Sequence, residues 1–138
     1  MNPQPDANRR ILIVDDDVVL RSLARAALEN DGFKVEEAGD GEEACRIFDA
    51  CAPQLLVVDV VMPGMNGYEL CRAIRNRPAG SHVPILMATG LDDIESITQA
   101  YEAGATDFIT KPLNWLILCH RVRYLLRASR AFDDVLQR

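Results

Sequence analysis

Five short strand-like runs alternate along the chain with segments of helical spacing, and this alternation constrains the fold more than any other feature. The runs lie at residues 11–14, 33–38, 55–59, 85–89 and 108–110. The segment after the first run has apolar residues at three- and four-residue steps: Leu20, Leu23, Ala24, Ala27 and Leu28. Strands that alternate with helices in this way form a parallel sheet with helices on both faces. We therefore predict an α/β domain with five parallel strands and five helices.

The starts of several helices are also visible in the sequence. Asp17 and Asp40 stand just before helical segments and would cap their amino ends, and Asp92 would begin the fourth helix. The last helix would run from about Asn114 towards the carboxyl end.

Polar residues follow the carboxyl ends of the predicted strands. The first strand leads into Asp15-Asp16-Asp17, the third ends on Asp59, the fourth ends on Thr89-Gly90, and the fifth leads into Lys111-Pro112. In a parallel sheet these ends share one edge, and ligands bind there, where the strand order switches. Asp59 alone could simply end its strand. The other acids at the same edge favour a chemical role instead.

Several carboxylates at one edge repel each other unless something offsets their charge. Two like charges about 4 Å apart cost about 4 kcal/mol at an effective dielectric of 20, so either some are protonated or a cation lies among them. All-oxygen ligands with open positions suit Mg²⁺, which keeps waters and contacts substrate phosphates. Lys111 adds a positive charge and Thr89 a hydroxyl, and with Asp59 these are the parts that phosphoryl transfer to a carboxylate requires. We therefore interpret Asp59 as a residue placed to be phosphorylated.

Length and charge exclude several other classes of protein. The chain has 138 residues, which suits one domain, and its net charge of −6 argues against a surface that binds nucleic acid directly. Neither a signal peptide nor a run of membrane-spanning length is visible, so we expect a cytoplasmic protein without membrane contacts. The cysteines, at positions 45, 51, 71 and 119, have no metal-type spacing and are interpreted as reduced packing residues.

Four motifs occur in order along the chain: Asp15-Asp16, Asp59 within DVVMPGMNG, Thr89-Gly90, and Lys111-Pro112. Together they resemble the receiver domain of bacterial two-component response regulators. The resemblance covers about residues 10–126, and residues 1–9 are interpreted as a flexible lead-in. It implies a flavodoxin-like, doubly wound sheet with strand order 2-1-3-4-5. It also implies that a sensor histidine kinase or a phosphotransfer protein passes a phosphoryl group to Asp59.

This resemblance implies the ligands of a metal ion. Asp16 and Asp59 would bind Mg²⁺ directly, together with the backbone carbonyl of Val61, and Asp15 would hold a metal-bound water. Mn²⁺ could replace Mg²⁺ at the same ligands. Asp17, the third acid of the run, is interpreted as the cap of the first helix rather than as a ligand.

The resemblance also implies a phosphoryl-binding pair and a switch. Lys111 would pair with the phosphoryl group, Thr89 would hydrogen-bond one of its oxygens, and Gly90 would keep the approach open. Thr89 and Phe108 would form the switch, in which an aromatic ring turns inward. Phe108 stands where many family members have Tyr, so the ring lacks a hydroxyl. The peptide bond between Lys111 and Pro112 would be cis.

The last predicted helix has a regular apolar stripe. Its members fall at alternating four- and three-residue steps, with Ser129 in the gap: Leu118, Val122, Leu125, Phe132 and Leu136. This is the spacing of a short coiled-coil seam. We therefore predict Leu118, Val122 and Leu125 as the face of a homodimer that phosphorylation favours.

The carboxyl-terminal segment also bears on the output of the protein. It contains no helix stop, and residues 127–138 are interpreted as an extension of the last helix and the start of a linker to a fused output domain. The stretch KPLNWLILCHRVRYLLRASRAF resembles the end of receivers fused to diguanylate cyclase (GGDEF-type) outputs. The receiver itself is predicted to be no enzyme, and the attached output to be the cyclase. The alternative is a stand-alone phosphorelay receiver, or one that drives a DNA-binding or phosphodiesterase output.

Two other classes of protein share parts of this pattern. Haloacid-dehalogenase-type phosphatases use an Asp nucleophile at a strand end, but they need a second acid two residues later, where this chain has Val61. Flavodoxin-like FMN carriers share the architecture, but their first loop must cradle a phosphate, which Asp15-Asp16-Asp17 would repel. The receiver interpretation is therefore preferred, and the colour of a bound flavin in the purified protein would test the second alternative.

Overall fold

A computed structural model describes residues 10–90 and 93–136, and strands and helices alternate through these ranges. The strands are β1 (Arg10–Val14), β2 (Lys34–Ala38), β3 (Leu55–Asp59), β4 (Ile85–Thr89) and β5 (Asp107–Thr110). The helices are α1 (Val18–Asn30), α2 (Gly41–Cys51), α3 (Gly67–Arg75), α4 (Ile94–Ala103) and α5 (Trp115–Leu136). Within these ranges, no helix has both the length and the apolar character that crossing a bilayer requires. The predicted lead-in at residues 1–9 lies outside the described residues.

The strands form one parallel sheet in the order β2-β1-β3-β4-β5, which confirms the predicted flavodoxin-like topology. β3 lies at the centre, and all of its residues are buried. A strand covered by helices on both faces has no polar face, which is why this segment is an uninterrupted apolar run in the sequence. The chain order reverses between β1 and β3, so the carboxyl ends of these strands open onto a crevice.

Successive strand residues point to opposite faces of the sheet and supply two separate cores. The core with α2, α3 and α4 receives Leu12, Val14, Leu56, Val58, Ile85 and Met87. The core with α1 and α5 receives Ile11, Ile13, Leu55, Val57, Leu86 and Ala88. Burial of each large aliphatic side chain stabilises the fold by about 1.5–3 kcal/mol. Packing on both faces therefore fixes the strand ends on which the polar residues stand.

Helix α5 turns its apolar stripe to the sheet rather than to solvent. Leu118 and Val122 are fully buried and Leu125 is 5% exposed, and all three lie in the core that α1 shares with α5. The predicted homodimer face at these residues is therefore wrong. The error has a physical cause, because a stripe that faces the chain's own core and a short coiled-coil seam have nearly the same spacing.

The last part of α5 extends beyond this core. Leu126 is the last buried residue, and the helix continues to Leu136 with side chains that are exposed or half-buried. The ring of Phe132 makes an edge-on contact with His82, with the ring centroids 5.0 Å apart. Because His82 precedes β4, this contact anchors the extension at the edge of the sheet opposite the acidic residues.

Side chains cap the helices largely as predicted. Asp17 and Asp40 each accept a hydrogen bond from a backbone N–H in the first turn of α1 and α2. Asn114 does the same at the start of α5. At α4 the cap is Asp93, and the predicted first residue, Asp92, lies outside the described residues.

Candidate functional site

The acidic loop after β1 presents two carboxylates at the carboxyl edge of the sheet. The Asp15 N–H still bonds to β2, since it donates to the Ala38 carbonyl at 3.2 Å. The Asp15 carboxylate is buried, and its Oδ1 accepts from the Asp17 N–H at 2.9 Å. Asp16 is exposed, and Asp17 caps α1 as predicted. The loop therefore offers one buried and one exposed acid, Asp15 and Asp16.

Asp59 is the last residue of β3 and is 7% exposed between the ends of β1 and β4. The chain then turns through Val60 and Val61, and α3 begins close behind, where the Gly67 N–H donates to the Val60 carbonyl at 2.9 Å. A Cβ on Gly67 would lie 2.5 Å from the backbone carbonyl oxygen of Asp59. Glycine is therefore required for α3 to approach the main chain of Asp59 this closely.

Lys111 follows β5 and reaches both buried carboxylates. Its Nζ lies 3.0 Å from Asp15 Oδ2 and 3.4 Å from Asp59 Oδ1. The Lys111 N–H donates to the Thr89 carbonyl at 2.8 Å, which ties the residue to the end of β4. The peptide bond to Pro112 is cis, as the resemblance implies. One ammonium group thus bridges the ends of β1 and β3.

These groups line one cavity of about 370 Å³ at the carboxyl edge. Its lining residues are Asp15, Asp16, Asp17, Asp59, Val61, Thr89, Gly90 and Lys111. Thr89 is fully buried. A Cβ on Gly90 would meet nothing within 4 Å, so this residue borders open space. The fold therefore brings together all the residues predicted to bind a metal ion or a phosphoryl group.

The cavity concentrates negative charge. Carboxylate oxygens of Asp15, Asp16 and Asp59 all lie within 4.8 Å of one another. Burial raises the pKa of Asp59, Lys111 opposes this rise, and the charge of Asp15 adds to it. Burial acts to lower the pKa of Lys111, but its hydrogen bond with Asp15 and the charge of Asp59 outweigh that effect and raise it. A nearby cation would stabilise the ionised form of such a carboxylate.

The same carboxylates fit a small divalent cation. Their oxygens are hard ligands close enough to share one ion, and Asp16 faces solvent, so waters can complete the coordination. Mg²⁺ prefers such a set, with few carboxylates and several waters. Zn²⁺ prefers nitrogen and sulfur ligands, and the cavity lining contains neither His nor Cys. The donor set therefore fits Mg²⁺.

Phe108 lies outside this cavity. It stands on β5, is half-buried, and packs against the core that α4 shares with the sheet. Its carbonyl accepts from Arg121 Nη1 of α5 at 3.2 Å, and the same Nη1 lies 3.2 Å from Asp107 Oδ2. Phe108 thus lies between the core and the surface formed by α4, β5 and α5, and its role in a switch stays a prediction.

Two residues that support the site were not singled out from the sequence. Gly67 could have been found, because a glycine at the first position of a helix after a tight loop indicates close packing. Arg21 was harder to find: its Nη1 donates to the Asp15 carbonyl at 2.7 Å. An arginine one turn into a helix is typical of a solvated face, and only the folded chain brings it over the acidic loop.

The chain is similar to several known proteins. A family model for the response regulator receiver domain matches residues 11–123. The response regulator PleD of Caulobacter vibrioides is 37% identical over 129 residues, which cover 94% of this chain and 28% of that protein. The probable transcriptional regulator ycf27 of Cyanophora paradoxa is 40% identical over 121 residues, which cover 88% of this chain and 49% of that protein. Among solved structures, the chemotaxis protein CheY4 of Vibrio cholerae has a TM-score of 0.84 at 31% identity and covers 86% of this chain and 99% of that one.

The extent of these matches distinguishes the domain from the whole protein. The chain spans 28% of one curated relative and 49% of the other. It spans almost the whole of the CheY4 chain, with the same fold. Because the family model runs from β1 into α5, the curated relatives share the sequence and the CheY4 structure shares the fold, the chain belongs to the response regulator receiver domain family.

Proposed function

We propose that this chain is a phosphorylation switch, in which Asp59 accepts a phosphoryl group from a phosphohistidine of a sensor histidine kinase or a phosphotransfer protein. The observation that supports this most directly is the position of the Asp59 carboxylate. It is buried at a strand end, yet it lines an open cavity with Lys111 Nζ 3.4 Å away. A carboxylate that a phosphoryl donor can reach, beside a fixed positive charge, can act as a nucleophile.

In the proposed transfer, one carboxylate oxygen of Asp59 attacks the phosphorus atom and the P–N bond of the phosphohistidine breaks. The electron pair of that bond stays on the imidazole nitrogen, and an acyl phosphate forms on Asp59. Lys111, already beside Asp15 and Asp59, would pair with the phosphoryl oxygens. The hydroxyl of Thr89, at the end of the neighbouring strand, would donate a hydrogen bond to one of them.

For the metal ion, we propose that Asp16, Asp59 and the backbone carbonyl of Val61 hold Mg²⁺ directly and that Asp15 holds one of its waters. Mn²⁺ would serve as a substitute. When bound, the ion offsets the charge of the carboxylates and of the phosphoryl oxygens. The proposal is supported by the carboxylate oxygens within 4.8 Å of one another and by the raised pKa of Asp59.

For the switch, we propose Thr89 and Phe108. Phosphorylation adds negative charge at Asp59, which would draw Lys111 and the Thr89 hydroxyl towards it. Phe108 is half-buried against the core next to α4, so its ring would fill the space that Thr89 leaves. A ring movement at this position changes the surface formed by α4, β5 and α5, which is the kind of element that a phosphorylation switch biases.

Phosphorylation of Asp59 can be tested by intact-mass spectrometry after incubation with acetyl phosphate and Mg²⁺. The wild type should gain one phosphoryl group and Asp59→Asn none. The matched control is Asp49→Asn, which removes the same charge from an exposed carboxylate paired with Arg77 on the surface, and it should behave like the wild type. Asp16→Ala should need a higher Mg²⁺ concentration, because a direct ligand is lost. Phosphorylation of Asp59→Asn at the wild-type rate would reject the assignment.

For the output, we propose a cytoplasmic protein in which residues 10–126 form the receiver and residues 127–138 begin a linker to a diguanylate cyclase. The support is the resemblance of the α5 segment to receivers with that output. A relative named as a transcriptional regulator supports the alternative of a DNA-binding output. Formation of a cyclic dinucleotide from GTP by the full-length protein would support the cyclase, and specific promoter binding would support the alternative.

We also propose that phosphorylation favours a homodimer, but through the outer face of α4 and α5. The buried stripe of α5 is excluded from this role. Apolar side chains that are exposed on the outer face include Ile94 and Tyr101 of α4 and Leu116 and Tyr124 of α5. In such a dimer two fused cyclase domains would lie together, and each would bind one of the two GTP molecules that the product requires.

A further inference from the structure

We propose that Arg21 is a positioning residue that sets the affinity of the site for its divalent cation by fixing the peptide between Asp15 and Asp16. Arg21 lies in α1 and is not among the residues that line the cavity. It would therefore act through the acidic loop and not by contact with a ligand. This inference rests on the proposed role of Asp16 as a metal ligand.

The guanidinium group of Arg21 joins the acidic loop to β2. Its Nη1 donates to the Asp15 carbonyl oxygen at 2.7 Å, and its Nε donates to Glu37 Oε1 at 2.8 Å. The side chain is 16% exposed. A Cβ on Gly39 would lie 3.3 Å from Nη1, so the group fits closely over the residue that follows β2. The guanidinium is thus held at two points and enclosed from one side.

The anchor of this contact, Glu37, is itself fixed. Its Oε2 accepts from Arg25 Nη1 at 2.8 Å. The hydrogen bond from Arg25, together with that from Arg21, holds the pKa of the Glu37 carboxyl below its usual value despite partial burial. Glu37 is therefore charged at neutral pH. A planar guanidinium reaches this carboxylate through Nε and the Asp15 carbonyl through Nη1, and its rigid fork fixes the two acceptors relative to each other.

The bond to the Asp15 carbonyl determines where Asp16 points. That carbonyl belongs to the planar peptide unit that joins Asp15 to Asp16. β1 ends at Val14, where its registers with β2 and β3 both end, and the Asp15 carbonyl accepts from Arg21 rather than from a strand. Within residues 10–90 and 93–136, the Asp16 carboxylate has no hydrogen bond or ion pair of its own. Its direction therefore depends on the peptide that Arg21 holds.

Orientation and electrostatics predict opposite signs for the loss of Arg21. Partners that orient metal ligands without touching the metal typically account for about 10–100-fold in metal affinity. Removal of a positive charge near an acidic site would, by charge alone, strengthen cation binding. A weaker Mg²⁺ affinity in an Arg21 variant can therefore be attributed to the lost positioning and not to the lost charge.

Arg25 provides a matched control for the affinity measurement. Arg25→Met removes the same charge from the same helix and from the same partner, Glu37. Among the described residues Arg25 bonds Glu37 and Glu29 but not the acidic loop, so the variant leaves both hydrogen bonds of Arg21 in place. Isothermal titration calorimetry with Mg²⁺ should show roughly tenfold weaker binding for Arg21→Met. Arg25→Met should bind at least as tightly as the wild type. Equal affinities in the two variants would overturn the proposal.

A measurement without metal separates this inference from the proposed function. The Asp17 N–H donates to Asp15 Oδ1 at 2.9 Å, so its hydrogen exchange reports the order of the loop in the metal-free protein. Exchange should be faster in Arg21→Met than in Arg25→Met, and equal rates would overturn the proposal. If Arg21→Met does not fold, Arg21→Lys takes its place, because it keeps the charge but lacks the rigid fork that fixes both acceptors. Wild-type Mg²⁺ affinity in Arg21→Lys would overturn the proposal. If the wild type binds no Mg²⁺, both the proposed function and this inference are overturned. If the wild type binds Mg²⁺ but Arg21→Met and Arg25→Met have equal Mg²⁺ affinities, this inference alone is overturned.

Discussion

Replacement of Asp59 by Asn should make the metal-free protein more stable at neutral pH. Burial raises the pKa of the Asp59 carboxyl, against the opposing charge of Lys111. A group with a raised pKa in the folded state stabilises the fold below its unfolded pKa, about 3.9 for Asp, and loses that contribution as the pH rises through the folded value. At neutral pH the ionised carboxylate therefore costs stability, and an amide of nearly the same shape does not carry this cost.

The distances in the cavity set the size of the effect. Repulsion of Asp59 from Asp15 and from Asp16, at separations of up to 4.8 Å, is about 3.5 kcal/mol each at an effective dielectric of 20. Attraction to Lys111 at 3.4 Å is about 5 kcal/mol on the same scale. The net electrostatic cost of the ionised Asp59 is therefore about 2 kcal/mol. Solvent screening at the exposed Asp16 reduces this cost, and burial of Asp59 adds to it. We expect the free energy of unfolding to rise by about 1–3 kcal/mol, which corresponds to a rise in Tm of several degrees.

Urea unfolding followed by circular dichroism in EDTA, from about pH 4 to about pH 8, measures this difference. The difference in free energy of unfolding between Asp59→Asn and the wild type should shrink as the pH falls, because protonation of Asp59 removes its charge in the wild type. Mg²⁺ should also reduce this difference, because the ion stabilises the wild type more strongly than the variant. The control is Asp49→Asn: the hydrogen bond from Arg77 lowers the pKa of Asp49, so loss of that carboxylate should not stabilise the protein. An Asp59→Asn protein no more stable than the wild type at neutral pH in EDTA would refute the reasoning.

Three other perturbations test the packing and the proposed dimer. Gly67→Ala places a methyl carbon 2.5 Å from the Asp59 carbonyl oxygen, so it should lower the free energy of unfolding by about 1–3 kcal/mol. It should also raise the Mg²⁺ concentration that phosphorylation requires. An unchanged urea midpoint would contradict the close packing of α3. Leu118→Ala should lower the free energy of unfolding by about 2–5 kcal/mol, because Leu118 is fully buried. Tyr124→Ala, on the exposed face of α5, should lower it far less. Equal losses in the two variants would contradict the packing of α5. Sedimentation velocity should show a dimer only with both BeF₃⁻ and Mg²⁺, and Tyr124→Glu should abolish it; a constant mass across the titration would exclude dimerisation as the response.

The sheet could be predicted from the sequence because its strands are covered on both faces. β4 begins and ends where its apolar run does. β2 begins at Lys34, one residue later than predicted, since Phe33 packs into the core with α1 as a loop residue. β5 begins one residue earlier than predicted, at Asp107, because pairing with β4 starts at this polar residue. The edge strands have fewer neighbours than the central ones, so apolar pattern alone defines their ends less sharply.

The cavity could be predicted for a similar reason. Asp15, Asp59, Thr89 and Lys111 stand at or just after strand ends, and the ends of parallel strands meet at one edge. The direction of the α5 stripe could not be predicted, because its spacing fits a helix that faces its own core as well as one that faces a partner. The contact of Arg21 could not be predicted either, since it joins a helix, a loop and a neighbouring strand whose relative positions arise only in the folded chain.

The continuity of α5 gives the receiver a fixed rotational register with anything attached to it. The helix runs unbroken from the core to Leu136, and Phe132 contacts His82 on the way. One residue inserted between Leu126 and Phe132 would turn all that follows by about 100° and advance it by about 1.5 Å, which also removes the ring contact. Seven inserted residues would restore the direction to within about 20° while lengthening the helix by about 10 Å. For any domain that continues from α5, the rotation about the helix axis, and not only the distance, would therefore determine which of its surfaces face each other when two receivers lie side by side.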